Sequence, residues 1–279
     1  MAASVHNLAL KMHLRVTNPC DDKDRIENDK GGLLKNSYCW IFDHDDFKQW
    51  QNYLESQLLW IKGDPGKGKT MLLCGIINEL TASTAEDITT ISFFFCQAAI
   101  PDLNNTTAVL CGLLSLILDQ QPALIIYIQK DYDKSGKQLF DGVNAWYALS
   151  RIFIDILKDP LLQRTYLIID GLDECIYGLP LLLDFVFEDL LANPNVKWIV
   201  SSCNWKDIEQ SLDIADGKIR LCLELNENSI SEAMTIYIHH KVQILVKLKK
   251  FDEELLEVVC CYLLSNAHGT FLWVVLVCE

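Results

Sequence analysis

Leu59-Trp60-Ile61-Lys62-Gly63-Asp64-Pro65-Gly66-Lys67-Gly68-Lys69-Thr70 is the stretch that decides how the rest of the chain is read. A mostly apolar run enters a glycine-rich turn. An apolar-periodic segment follows, with Leu72, Ile76 and Leu80 at four-residue steps and Leu73 and Ile77 beside them, which predicts a helix. Gly63 to Thr70 fits G-x-x-x-x-G-K-[ST] at every position. Glycines let backbone N–H groups curl around a phosphate without a side chain in the way. The following helix adds its positive N-terminal end. Lys69 supplies a point charge for β- and γ-phosphates, and the Thr70 hydroxyl supplies a ligand for Mg2+. The pattern requires a strand before and a helix after, and both are present. Gly63, Asp64, Pro65, Gly66, Lys67, Gly68, Lys69 and Thr70 are therefore the expected nucleotide-binding residues, a P-loop or Walker A motif.

Working outward, apolar runs at residues 58–62, 90–96, 165–169, 197–200 and 219–225 read as strands. They are continuous rather than alternating, as in a parallel sheet covered on both faces. Helical stretches at 106–119 and 144–157 separate the second and third strands. After Leu225 the chain turns helical, through 229–248 and 252–266. The expectation is a three-layer α/β P-loop NTPase fold with a mainly parallel five-stranded sheet, followed by a small C-terminal helical subdomain. Residues 1–35, polar and punctuated by Pro19, Gly31 and Gly32, read as an N-terminal arm or linker. Residues 36–225 form the nucleotide-binding domain, opening with short amphipathic helices around Tyr38, Trp40, Phe42, Phe47 and Trp50. Residues 226–279 are the helical subdomain.

A second motif is Tyr166-Leu167-Ile168-Ile169-Asp170-Gly171-Leu172-Asp173-Glu174. An apolar strand ending in an acid is the Walker B arrangement, which places Asp170 in the Mg2+ shell. Asp173 and Glu174 are the candidate catalytic residues, because a carboxylate within hydrogen-bond reach can orient or deprotonate a water.

Composition narrows the partners. A formal net charge of −14 over 279 residues leaves no general basic face for a phosphate backbone, so no nucleic acid is expected. The 11 cysteines are scattered without a C-x-x-C pair, which excludes the usual zinc spacing and suits a reduced, cytoplasmic protein. No signal-peptide core and no bilayer-length run is present, so no membrane is expected. His239 and His240 read as ordinary helical histidines, and Phe271 and Trp273 as core.

The Asp-Gly-Leu-Asp-Glu form of the second motif, taken with the P-loop, resembles the NACHT domains of STAND-class NTPases, notably those of fungal NOD-like receptor (NLR-like) proteins. The resemblance extends over Asp22-Lys23 to Leu34, Asn144-Ala145-Trp146, and Gly269-Thr270-Phe271-Leu272-Trp273-Val274. It implies an ATP/ADP switch in which ADP holds a closed monomer and ATP exchange permits assembly into a signalling oligomer. It further implies nucleotide and Mg2+ binding by Lys69 and Thr70, metal and water activation by Asp170 and Glu174, and a P-loop strand lying next to the Walker B and sensor strands. Self-association and effector or repeat domains absent from this chain are the implied protein partners.

Two departures bear on activity. The family usually shows Ser-Ser-Arg after the sensor strand, where this chain reads Ser201-Ser202-Cys203. A neutral thiol does not stabilise phosphate charge as a guanidinium does, so ATPase turnover is expected to be slow at best. The chain also stops at Glu279, before most of the family's winged-helix region, as in a truncated or degenerate paralogue or a chain cut at a domain edge. Two alternatives to the switch remain open: a small-molecule kinase or related P-loop phosphotransferase, for which no lid-like arginine cluster is visible, and a binding-only pseudo-NTPase. ATP is favoured over GTP because the Asn-Lys-x-Asp motif is absent.

Overall fold

The computed structural model describes residues 2–53, 57–83, 89–213, 218–249 and 253–278. The five apolar runs form strands β1 (Leu58–Lys62), β2 (Thr89–Phe95), β3 (Arg164–Asp170), β4 (Val196–Ser202) and β5 (Lys218–Cys222). They build one fully parallel sheet in the order β2-β3-β4-β1-β5. Successive side chains of a strand point to opposite faces, and the two faces carry separate cores. Leu58, Trp60, Leu167, Ile169, Trp198 and Val200 belong to one; Leu59, Ile61, Tyr166, Ile168 and Ile199 belong to the other.

Helices cover both faces. The N-terminal ones are α1 (Ala2–Leu14), α2 (Pro19–Asp29), α3 (Trp40–Asp43) and α4 (Asp45–Asn52), with α5 (Lys69–Ser83) following β1. Between β2 and β3 lie α6 (Thr106–Gln120), α7 (Ile126–Ser135), α8 (Gln138–Asp141) and α9 (Ala145–Leu157). Then come α10 (Leu179–Ala192), α11 (Lys206–Asp213), α12 (Glu227–Lys249), α13 (Glu253–Asn266) and α14 (Phe271–Cys278). Helices α6 and α9 bury their apolar residues on the Trp60 face, whereas α4 and α5 pack on the Leu59 face. The three-layer α/β architecture is thus observed. The last helices share a small core of their own, with Met234, Ile238 and Val242 of α12 against Cys260 and Leu263 of α13 and Val274 of α14.

Three sequence expectations are corrected. The first 35 residues are not an extended arm but carry two helices packed on the α/β body, with Leu10 and Leu14 in one core and Ile26 in the other. Pro19, read as a break, is the first residue of α2. There its missing N–H costs nothing, and the Asn18 side chain accepts from the Cys20 N–H as the cap. Strand β5 stops at Cys222, and the residues after it wind into a 3-10 turn, Leu223–Asn226. Finally, the P-loop strand pairs with β4 and β5, and β4 separates it from the Walker B strand β3. The reason is that α5 carries the chain across β4 and β3 to the far edge, where β2 joins the sheet.

Candidate functional site

All five strands run parallel, so their carboxyl ends line one edge of the sheet, where ligands of open α/β sheets collect. The loop after β1 lies on that edge. Gly66 and Gly68 hold φ of +80° and +88°, a left-handed conformation that favours glycine. The Lys69 ammonium donates to the carbonyl oxygens of Gly63 at 2.5 Å and Asp64 at 3.1 Å, and lies 3.5 Å from the Cys203 sulfur. The side chain is thus folded back along its own loop. The Asp64 N–H donates to Glu224, and Asn204 reaches the Asp64 carboxylate at 2.8 Å. Burial pushes the Glu224 carboxyl up, but hydrogen bonds from Asp64, Cys222 and Asn204 outweigh it and leave the group below the usual carboxylate range. Glu224 therefore clamps the loop entrance from the end of β5.

Asp170 ends β3 and is buried, 5% exposed. The Ser201 hydroxyl donates to it at 2.6 Å, and the Thr70 side chain lies close enough to act on the carboxylate. Burial raises its pKa, opposed by those two hydroxyls and by the charges of Lys30 and Lys69. Gly171 follows at φ +70°, its N–H donating to Ser201 at 2.9 Å. Asp170 and Thr70 thus lie within reach of one another.

Asp173 and Glu174 do not converge on one point. Asp173 accepts the Cys203 N–H at 2.8 Å, on the β4 side. Glu174 turns to the β2 side and accepts the Ala98 N–H at 3.1 Å. By surface area Glu174 is exposed, yet its carboxyl lies against that loop, and partial burial there raises its pKa, with repulsion from Asp170 and Asp173 adding to the effect. Asp173 is thus tied to the end of β4, and Glu174 to the loop after β2. Burial, then the hydrogen bond to Asp173, pushes the Cys203 thiol up to about 11. The residue in the sensor position is a neutral thiol.

Beside the loop lies a cavity with about 180 Å³ open to the centre of a water molecule, lined by Gly66 to Gly68 and by Trp40, Tyr237 and Phe271 among others. A Cβ at Gly68 would come 3.1 Å from the Phe271 ring, and one at Gly66 would come 2.9 Å from Thr270. The turn before α14 therefore rests directly on the loop. Sequence reasoning placed Phe271 in the core; its ring does pack against two of the apolar clusters and also covers the P-loop, edge-on to Tyr237 at 5.7 Å. It also missed Ser201, Glu224 and Lys30, which carry no motif of their own; only the serine pair at the end of β4 offered a signal. His239 lies 3.6 Å from the Cys260 sulfur, and neither it nor His240 lines the cavity.

Residues 36–203 match the protein family described as nephrocystin 3, N-terminal. The chain is 52% identical over 266 residues to vegetative incompatibility protein HET-E-1 of Podospora anserina, covering 95% of this chain and 20% of that protein. It therefore spans about a fifth of the length of the curated relative it matches. Among solved structures it is similar to PCH-2 of C. elegans, with a TM-score of 0.37 and 13% identity over 81% of this chain and 48% of that one. It is similar also to Drosophila ORC bound to DNA, with a TM-score of 0.34 and 14% identity over 76% and 46%. Likeness at these two levels carries no functional argument.

Proposed function

The chain belongs to the nephrocystin 3 N-terminal family, which is related to the NACHT domains its motifs resemble, and from that premise we propose that it is an ATP/ADP-binding switch domain. One observation carries the reading: the buried Asp170 is held by the Ser201 hydroxyl at 2.6 Å, with Thr70 and Lys69 acting on the same carboxylate, so the hydroxyl, carboxylate and ammonium that a magnesium–nucleotide complex needs lie together.

The residues fit such a group. Gly66 and Gly68, at φ +80° and +88°, give the loop the left-handed turns on which a phosphate-cradling backbone depends. Mg2+ keeps several waters and takes only one or two protein oxygens beside the phosphates, so Thr70 and Asp170 suffice. When bound, Mg2+ neutralises phosphate charge and orients the terminal phosphoryl group. In the proposed site Lys69 moves from the Gly63 and Asp64 carbonyls to the phosphates, and Ser201 keeps Asp170 aimed at the metal. The aromatic cavity of Trp40, Tyr237 and Phe271 suits a flat apolar base, which joins α12 and α14 to the nucleotide. Hydrolysis falls to Glu174 as the water-orienting base and is slow, because the β4 edge offers a thiol where charge is needed.

The proposed division is a nucleotide-binding body over residues 36–225 and a helical subdomain over 226–279 with its own core, the first 35 residues serving as a packed flank. Eleven free cysteines suit a reduced, cytoplasmic setting. Among the described residues no helix is long and apolar enough to cross a membrane. Self-association, and contact with effector or repeat domains, are proposed from the resemblance to NACHT domains. Isothermal titration of the chain with ATP and with ADP, each with and without Mg2+, tests the reading. Saturable binding that Mg2+ strengthens supports it, and absence of binding under all four conditions rejects it.

A further inference from the structure

A site that tells a triphosphate from a diphosphate needs positive charge at the place the extra phosphate occupies. The β4 edge does not bring it, since Cys203 is neutral there. Among the described residues no arginine lines the cavity or the P-loop. Arg25 of α2 is engaged with Asp22 at 3.1 Å and Gln97 at 3.0 Å. Lys67 is drawn to the turn before α14, donating to the His268 carbonyl at 3.2 Å.

We propose that Lys30 is the second phosphate-binding cation of this site and sets its preference for triphosphate over diphosphate. The proposal rests on the nucleotide-binding reading above. Lys30 caps the C-terminus of α2, its N–H donating to the carbonyls of Asn28 and Ile26. Gly31 and Gly32, at φ +81° and +89°, then reverse the chain toward the cavity. Lys30 lines that cavity together with Gly66, Lys67 and Gly68. Its charge acts on both Asp170 and Glu174, so it lies within electrostatic reach of both carboxylates. The side chain is exposed and makes no hydrogen bond or ion pair with another described residue. It is free to close on a ligand.

The backbone of Lys30, by contrast, is held from α12. The Tyr237 hydroxyl donates to the Lys30 carbonyl at 3.3 Å, and a Cβ at Gly31 would collide with the Lys241 ammonium. A phosphate that engages Lys30 therefore pulls on the same turn that α12 grips. Only a ligand with different contacts in two states can shift their balance, and the terminal phosphate would supply that difference here.

The test is titration of the full chain with magnesium–ATP and magnesium–ADP for the native protein, Lys30→Gln and Lys30→Arg. Both substitutions keep a long side chain at an exposed position, so melting temperature should move by no more than about 2 °C. Lys30→Gln should weaken ATP about tenfold and ADP less than about threefold, and Lys30→Arg should hold the native ratio within about threefold. An unchanged ratio in Lys30→Gln, or equal weakening of both nucleotides, overturns the role given to Lys30. If the native chain binds neither nucleotide, the P-loop reading falls first, and the native titration alone reveals it.

Discussion

The Ser201 hydroxyl donates to Asp170 at 2.6 Å, across neighbouring strands β4 and β3. The same hydroxyl accepts the Gly171 N–H at 2.9 Å, so one serine fixes both the carboxylate and the turn that follows it. Thr70 and Lys69 of the loop act on the same carboxylate. Preorganisation of this kind removes an ordering cost from binding.

Charge and orientation at Asp170 should therefore separate in experiment. Asp170→Asn removes the charge and should abolish the strengthening of ATP binding by Mg2+, a loss of about tenfold. Ser201→Ala removes only the orienting bond and should cost less. Glu174→Gln should leave binding within about threefold while ending any turnover, because a water-orienting group acts in the chemical step. Equal loss of binding in the Asp170 and Glu174 variants would contradict these roles.

The buried carboxylate also has a consequence for stability. Its folded-state pKa is raised above the ordinary aspartate value, so the native state holds this proton more tightly than the unfolded chain. Its contribution is present below the unfolded pKa and is lost as pH rises through the folded one. At neutral pH without ligand, Asp170→Asn lacks this burden and should melt higher than the native chain, roughly 2–4 °C for each kcal/mol relieved. The gap should shrink toward acid. An Asn variant that melts lower at pH 7 would mean the charge is better solvated than its burial implies.

Gly68 tests the contact between the loop and the C-terminal helices. At φ +88° an alanine is strained by roughly 1–2 kcal/mol, and its Cβ would press on the Phe271 ring at 3.1 Å. Gly68→Ala should lower the melting temperature by about 2–8 °C. Adding Phe271→Ala should leave the backbone part of that loss and relieve the steric part. A double variant whose losses simply add would show that the turn does not rest on the loop.

Much of this was legible in the chain itself. Each of the five strands begins and ends within about two residues of its apolar run, except β5, because buried parallel strands are written as continuous hydrophobic residues. Leu223 misled because it is buried as a strand residue would be, although it opens a 3-10 turn. The loop and Asp170 were legible because local spacing sets their geometry. Strand order was not, since it depends on where α5 lands. Nor were Glu224 and Lys30: the Asp64–Glu224 and Lys30–Tyr237 contacts join residues 160 and 207 positions apart, and no local pattern records them.

In the proposed site Lys69 leaves the carbonyls of Gly63 and Asp64 to hold phosphate. That assignment is tested most directly by titrating magnesium–ATP into the native chain and Lys69→Ala, with melting curves to show that both are folded. The variant loses a charge-assisted contact worth roughly 1.5–3 kcal/mol, so its affinity should fall about ten- to a hundredfold. A folded Lys69→Ala protein that binds ATP as tightly as the native chain would contradict the assignment.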